Sequence, residues 1–243
     1  MKALAVIPAR YYSQRFPGKP LALLGGRTIV EWVWTGVSGC PHFAGVVVAT
    51  DDERIAECVR SFGGELELTR REHTNGTERV AEVASRHPEV DVVVNVQGDQ
   101  PFVSSGQLTD LLGPYLGGRE PEMTTLACPL EGTRADDPNI VKVVCDAEGR
   151  ALYFSRAPIP YAFEDDAGFL QHLGLYAFRA DFLRAYVQLP PTELERREGL
   201  EQLRVLAHGY PVTVSRTDEA VLEVNTPEDL ERAEAVLSRA GGP

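Results

Sequence analysis

The sequence predicts an α/β fold: a three-layer core with a mostly parallel sheet and helices on both faces, extended by a smaller mixed β/α lobe. Three observations carry this expectation. Through the first half, short wholly apolar runs alternate with amphipathic stretches, the β-α-β-α rhythm of a parallel sheet. Those apolar runs do not alternate in polarity, as suits strands buried on both faces. After about residue 120 the rhythm gives way to strands spaced closely around Asp146-Ala147-Glu148-Gly149, which reads as a β-hairpin.

The elements follow in chain order. Residues 3–7, Ala-Leu-Ala-Val-Ile, read as a buried parallel strand. Residues 28–37 read as a helix with Ile29, Val30, Trp32, Val33 and Val37 on a broad apolar face. A second strand covers 45–49, and Asp51 or Asp52 can cap a helix over 53–62. Gly63-Gly64 ends that helix before a third strand at 65–68. Residues 76–86 read as a helix with Val80, Ala81, Val83 and Ala84 facing inward, and Thr77 offers a capping hydroxyl. Residues 90–96 form the most apolar strand. Further strands are expected at 124–129, 141–145, 151–154, 172–178 and 212–215, with helices over 180–187 and 192–208. Thr226 caps the last helix, Pro227 takes its first position, and Glu228 and Asp229 sit near its positive end. The chain reads as one domain over 1–243, divided into a half over 1–120, a lobe over 121–225 and a C-terminal helix over 226–243.

Composition excludes several classes of function. With 43% hydrophobic and 25% charged residues in 243, the chain has the make-up of a soluble globular protein with one substantial core. No apolar run approaches bilayer-spanning length, so no membrane role is expected. Lys2 and the apolar residues that stop at Pro8 lack a small-residue cleavage site and read as a strand, not a signal peptide. Cys40, Cys58, Cys128 and Cys145 are scattered, which argues against zinc or a disulfide framework and suits a reducing cytoplasm. A net charge of -12 argues against nucleic-acid binding but leaves room for one positive pocket.

Such a pocket is signalled directly after the first strand. Pro8-Ala9-Arg10-Tyr11-Tyr12-Ser13-Gln14-Arg15-Phe16-Pro17-Gly18-Lys19-Pro20 brings three cations to a strand end, where open α/β sheets bind ligands. Lysine occurs only at Lys2, Lys19 and Lys142, so Arg10, Arg15 and Lys19 are not an ordinary solvated loop but candidate phosphate ligands. A second signal is Asn95-Val96-Gln97-Gly98-Asp99-Gln100-Pro101. Here an apolar strand ends, Gly98 permits close backbone approach, and Asp99 projects from the tip as a hard oxygen donor suited to Mg²⁺. Residues 69–79 are a polar loop leading into a helix. In the second half, His172 reads on local grounds as a satisfied strand histidine, and 201–204 as a solvated helix face.

Taken together, Ile7 to Leu21, the Gln-Gly-Asp-x-Pro stretch at 97–101 and His-x-x-Gly-Thr-Glu-Arg at 73–79 resemble the CMP-sugar-acid synthetases, a nucleotidyltransferase family. Tyr153-Phe154-Ser155-Arg156, His172 to Tyr176 and Leu200 to Arg204 resemble the half of those enzymes that serves 3-deoxy-D-manno-octulosonate (KDO). The resemblance implies a Rossmann-like nucleotide-diphospho-sugar transferase sheet. It implies cytidylyl transfer from CTP to the anomeric hydroxyl of KDO, with release of pyrophosphate, for lipopolysaccharide biosynthesis. By the same resemblance Arg10, Lys19 and Asp99 are catalytic. Ala9, Arg10, Ser13, Arg15, Lys19, Thr74, Asn75 and Arg79 hold the nucleotide, with Arg79 alternatively paired to Glu78 or Glu82. Gln97, Arg156, His172, Tyr176, Glu201 and Gln202 hold the sugar acid, Arg156 meeting its carboxylate. Asp99 is the implied Mg²⁺ ligand. The family's acidic residue ahead of Thr-Pro-Glu-Asp is Asn225 here, a neutral ligand at most. A cytoplasmic homodimer is implied, with Tyr153, Phe154 and Tyr161 as candidate contacts. The rival readings are activation of sialic acid or an amino variant of KDO, and a non-catalytic CTP-binding regulator.

Overall fold

The computed structural model describes residues 1–12, 15–163 and 168–239. The chain divides into two compact units: residues 2–108 together with the C-terminal stretch from Val221, and residues 109–220 with Met1.

The first unit is built from β1 (Ala3–Ala9), the two-residue strands β2 (Leu23–Leu24) and β3 (Arg27–Thr28), α1 (Ile29–Ser38), β4 (Phe43–Thr50), α2 (Glu53–Ser61), β5 (Glu65–Leu68), α3 (Gly76–Ser85) and β6 (Val92–Asn95). Strands β6, β1, β4 and β5 run parallel and neighbour one another in that order. The register sets Val6 opposite Val47 and Asn95. Ala3, Ala5, Val6 and Ile7 are completely buried, which is why the run carries no polar residue. Thr28 caps α1 and Asp52 caps α2, each accepting a backbone N–H of its first turn. The cap of α3 is Asn75, whose side chain accepts from Glu78 N; Thr77 is instead fully buried and accepts from Asn95 Nδ2 at 3.0 Å. The asparagine one residue ahead of the helix already meets the orphan N–H groups, so the Thr77 hydroxyl turns inward.

α4 (Ser105–Leu116) carries the chain into the second unit and was not expected from the pattern. Gly106, Gly113 and Pro114 weaken its propensity. Its start was nonetheless written in the sequence. Ser104 Oγ accepts from Gln107 N at 3.1 Å and Gln107 Oε1 accepts from Ser104 N at 2.9 Å, a capping box.

The second unit holds β7 (Met123–Leu130), β8 (Lys142–Cys145), β9 (Ala151–Ser155), β10 (Phe169–Arg179), α5 (Ala180–Tyr186), α6 (Glu193–Glu198), α7 (Gln202–Ala207) and β11 (Thr213–Arg216). β7 lies between antiparallel β10 and parallel β11, and β8 pairs antiparallel with β9 and β10. The single helix expected over 192–208 is two. Gly199 at φ 64° ends α6, and the chain turns before α7. Arg204 then reaches back across the break, its Nε donating to Glu195 Oε2 at 2.8 Å. Phe154 is completely buried and edge-on to the His172 ring, so it cannot serve as a dimer contact; Tyr161 is 86% exposed. The C-terminal helix α8 (Pro227–Arg239) belongs to the first unit, and Thr226 Oγ1 accepts from Asp229 N at 3.3 Å as its cap. All four cysteines are free thiols, and no helix among the described residues is long and apolar enough to cross a membrane.

Candidate active site

The carboxyl ends of β1 and β6 meet in the first unit, and the loops that follow them line a cavity of about 470 Å³. Its walls include Ala9, Arg10, Lys19, Gln97, Gly98 and Asp99. Gly98 is required there because a Cβ would stand 2.7 Å from Pro8 O. Gly18, at φ 74°, turns the chain into a single 3-10 turn whose first residue is Lys19, and Gly18 N donates to Tyr11 O at 2.8 Å. The lysine is thereby aimed back at the strand ends.

Lys19 Nζ lies 2.8 Å from Asp99 Oδ2 and 3.4 Å from Asn225 Oδ1. Arg15 Nη2 donates to the same Asn225 oxygen at 3.4 Å. Asn225 is brought in by the backbone, since Val224 N donates to Asp99 O at 2.8 Å, while Asp229 holds the N–H groups of Asn225 and Thr226, each at 2.9 Å. A further acid joins this group. Glu223 accepts from Asn225 Nδ2 at 3.0 Å and from Gln100 Nε2 at 3.4 Å. Crowding by the surrounding protein and then the charge of Asp99 hold the Glu223 carboxyl above its ordinary pKa. Sequence reading missed Glu223. The only signal was its spacing, two residues ahead of Asn225.

Arg10, on the wall of the same cavity, is tied to the loop before α3. Its guanidinium donates to the carbonyls of His73, Thr74 and Asn75, the last two at 3.3 and 3.0 Å, and its buried Nε has no partner among the described residues. Thr74 and Asn75 are drawn to Glu78: Thr74 Oγ1 donates to it at 2.8 Å and Asn75 Nδ2 at 3.1 Å. Arg79 is fully buried and pairs with Asp51 at 3.0 Å and with the Thr69 hydroxyl, so the acid it meets lies further off in sequence than the Glu78 or Glu82 of the alternative reading. Glu82 is taken by His73 and Arg86. Burial draws the Arg79 pKa down. Arg10, Arg79, Asp51, Arg54 and Arg71 line an adjoining cavity of about 510 Å³. Gln97 Nε2 donates to Asn95 Oδ1 at 3.3 Å. Ser13 lies outside the described residues.

The second unit gathers the other expected residues in a different way. His172 Nε2 lies 2.9 Å from Thr125 Oγ1, and the Thr125 hydroxyl in turn reaches the Leu173 and Leu175 carbonyls at 3.2 and 2.8 Å. That hydroxyl gives its one hydrogen to a carbonyl, so it accepts from His172 Nε2–H. Nδ1 then accepts from Gln202 Nε2 at 3.5 Å, and Gln202 Oε1 accepts from Tyr176 OH at 3.1 Å. Every link agrees with one neutral tautomer. Burial pushes the His172 pKa down to about 3, which keeps it neutral. His172, Tyr176 and Gln202 are all buried, as is Thr125 at the end of the relay. Glu201 precedes α7, and its carbonyl accepts from Tyr186 OH at 3.3 Å. Arg156 is held apart from this chain. Its Nε donates to Glu198 O at 2.8 Å and its Nη1 to Pro138 O at 2.9 Å, while its backbone N donates to Glu198 Oε2 at 2.9 Å. Glu198 was not singled out by the sequence pattern.

Among known proteins, the model of a family described as cytidylyltransferase matches residues 4–218. The chain belongs to the cytidylyltransferase family. The 3-deoxy-manno-octulosonate cytidylyltransferase of Acaryochloris marina is 55% identical to it over 241 residues, 98% of each chain. The protein of the same name from Synechococcus elongatus is 51% identical over 242 residues, 98% of this chain and 99% of the relative. A solved structure of CMP:2-keto-3-deoxy-manno-octonic acid synthetase complexed with CTP matches with a TM-score of 0.94 at 39% identity, covering 99% of this chain and 100% of that one. The α/β class expected from the sequence is therefore the fold of the nucleotidyltransferases. For a cytidylyltransferase the cation cluster at the strand ends is the chemically apt feature, because a polyphosphate brings several negative charges to one place.

Proposed function

We propose that this cytidylyltransferase transfers the cytidylyl group of CTP to the anomeric hydroxyl of KDO, giving CMP-KDO and pyrophosphate, in the route to lipopolysaccharide. The observation that carries the reading is the Lys19–Asp99–Asn225–Glu223 cluster beside the cavity at the strand ends. The sugar hydroxyl attacks the α-phosphate in line and pyrophosphate leaves, a reaction that depends mainly on positioning and charge stabilisation. Lys19 and Arg15 neutralise the triphosphate. Arg10 orders the turn at 73–75 through its three carbonyl bonds. Arg156 meets the carboxylate of the sugar acid, a geometry that suits a guanidinium. The buried His172–Gln202–Tyr176 chain and Glu201 shape the wall behind the sugar hydroxyls.

The donor set fits a magnesium ion. Asp99, Glu223 and Asn225 offer hard oxygens, and the buried Gln100 Oε1 beside them has no partner among the described residues. No group of three or more His, Cys, Asp or Glu side chains among the described residues is placed to hold a metal ion, so the protein alone supplies an incomplete shell. Mg²⁺ commonly takes its remaining ligands from substrate phosphates and water, which suits loading together with CTP. Bound there, it would lower the pKa of the attacking hydroxyl and stabilise charge on the phosphates. Asp99 and Glu223 would hold it, and Lys19 would be freed for the nucleotide. The enzyme would work in the cytoplasm as a homodimer, for which the 86% exposed Tyr161 and 90% exposed Phe163 offer apolar surface.

The test is pyrophosphate release from CTP and Mg²⁺, with KDO and N-acetylneuraminate side by side. Release with KDO alone is expected. Equal release with both acids would widen the acceptor class. CTP binding without release from either would make the chain a nucleotide-binding regulator.

A further inference from the structure

Lys142, at the start of β8, is completely buried. Its Nζ donates to the carbonyl oxygens of Asp137 at 3.0 Å, Ile140 at 2.6 Å and Arg156 at 2.6 Å. A neutral amine has only two N–H groups and a lone pair, which would be turned against a carbonyl; three accepting carbonyls call for the ammonium form. Burial pulls its pKa down, and Asp137, Asp136 and Glu198 oppose that pull from a distance while Arg156 adds to it. Among the described residues no ion pair is made by Lys142, so a full positive charge is kept inside the second unit on carbonyl dipoles alone. Such burial is costly unless something requires it.

The three carbonyls show what it holds. One belongs to Arg156 itself, whose backbone N is tied on the other side to Glu198 Oε2. The other two bracket the turn that carries Pro138, and Pro138 O is the acceptor of Arg156 Nη1. Lys142 thus fixes both the main chain of Arg156 and the anchor of its guanidinium. Nη2 takes part in none of these bonds. We propose that Lys142 is the positioning residue of the anion subsite: it sets the Arg156 fork and, as a second positive charge behind it, gives that subsite its preference for a carboxylate over a neutral group. This rests on the reading of Arg156 as the residue that meets the sugar-acid carboxylate.

The test uses Lys142→Met, with KM for KDO, KM for CTP and kcat measured separately, and the C1 carboxamide of KDO as a neutral comparison. The expected result is a rise of roughly tenfold in KM for KDO, a KM for CTP within about twofold of the parent, and weaker discrimination between acid and amide. An unchanged KM for KDO, or both KM values rising together, would overturn the proposal. Arg156→Lys keeps the two readings apart. If that variant binds KDO normally, the Arg156 assignment has failed; if it binds KDO poorly while Lys142→Met does not, only the positioning role has. Should Lys142→Met not fold, the parent enzyme still decides. With three lysines in the chain, Lys2, Lys19 and Lys142, lysine side-chain ¹³C NMR is readily assigned. The Lys142 signal must move when KDO is added to metal-free enzyme holding CTP, and a signal that stays still at saturating KDO would overturn the proposal.

Discussion

One polar cluster in each of the two units is built in the opposite way to the other. In the first, Lys19 and Asp99 form an ion pair with side chains 14% and 21% exposed, at the edge of an open cavity. In the second, His172, Gln202 and Tyr176 form a buried, uncharged relay in which each donor meets an acceptor. A partly hydrated ion pair contributes little to stability and can be exchanged for other partners at small cost. A buried neutral relay is costly to break, because any removed partner leaves an unsatisfied polar group. The first arrangement suits a site that must reorganise around a charged ligand, the second a wall that must not move. Substitutions in the Lys19–Asp99 pair should therefore remove activity and spare the fold, and substitutions in the His172–Gln202–Tyr176 relay should cost stability before activity.

The largest effect is expected from Asp99→Asn. Pyrophosphate release should fall by about 10³-fold, in the range set by losing one preorganised electrostatic contact to a transition state. The melting temperature should hardly change, since the pair it breaks is partly hydrated. Near-normal turnover would remove the metal role from Asp99 and with it the contrast between the units. A fall in stability as large as the fall in rate would show that the ion pair holds the fold after all.

The second unit is best probed by pH. Burial holds the His172 pKa down to about 3 in the folded chain, against an ordinary value of 6.5. Below 6.5 the unfolded chain takes up a proton that the native state refuses, so this part of the stability is complete above that value and is lost as the pH falls toward 3. The loss is about 1.4 kcal/mol per pH unit, or about 2 to 3 kcal/mol over two units. Denaturant unfolding of the parent and of His172→Gln should show that extra slope only in the parent. Parallel curves would mean that the imidazole titrates in the native state and that the relay is open to water.

How much of this was legible beforehand depends on range. β5 begins and ends where the pattern set it, and the Asp52 cap was readable because it acts within one turn, whereas Thr28, read as the first helical residue, is the cap of α1. Gly98 was readable because only close backbone approach requires a glycine there. The break at Gly199 was lost because the charged stretch on either side of one glycine reads as a single helix, and α4 was lost because Gly106, Gly113 and Pro114 outweighed the Ser104–Gln107 capping box. At the site, Lys19 and Asp99 announced themselves by type and place, but their pairing, at a sequence separation of 80, did not. Glu223 and Glu198 were invisible for the same reason, since an acid in an irregular stretch or on a helix face has no local mark that tells a long-range partner from solvent. Arg10 is a further case: its type suggested phosphate, but nothing local announced its bonds, at a separation of 63 to 65, to the turn before α3.

A smaller effect separates the roles within the charged cluster. Glu223→Gln keeps the shape and the bond from Asn225 but removes one carboxylate. The Mg²⁺ concentration that supports half-maximal turnover, and the affinity for Mn²⁺ read by electron paramagnetic resonance in the presence of CTP, should each weaken about tenfold. If neither changes, Glu223 only orients Asn225.

The smallest effect, and the sharpest on the contrast between the units, is Tyr176→Phe. The hydroxyl donates to Gln202 Oε1 at 3.1 Å, and Gln202 is 1% exposed, so its removal strands an acceptor that water cannot reach. The cost should be about 1 kcal/mol in unfolding free energy, near the low end for a buried group left without its partner. The ring stays, stacked near His172 and Phe178, so packing is kept and no cavity opens. KM for CTP should be unaffected, because no nucleotide contact is assigned to this unit. A loss of turnover without a loss of stability would move Tyr176 from the wall of the sugar-acid site into direct contact with substrate, and the division between a site that reorganises and one that stands fixed would have to be redrawn at that residue.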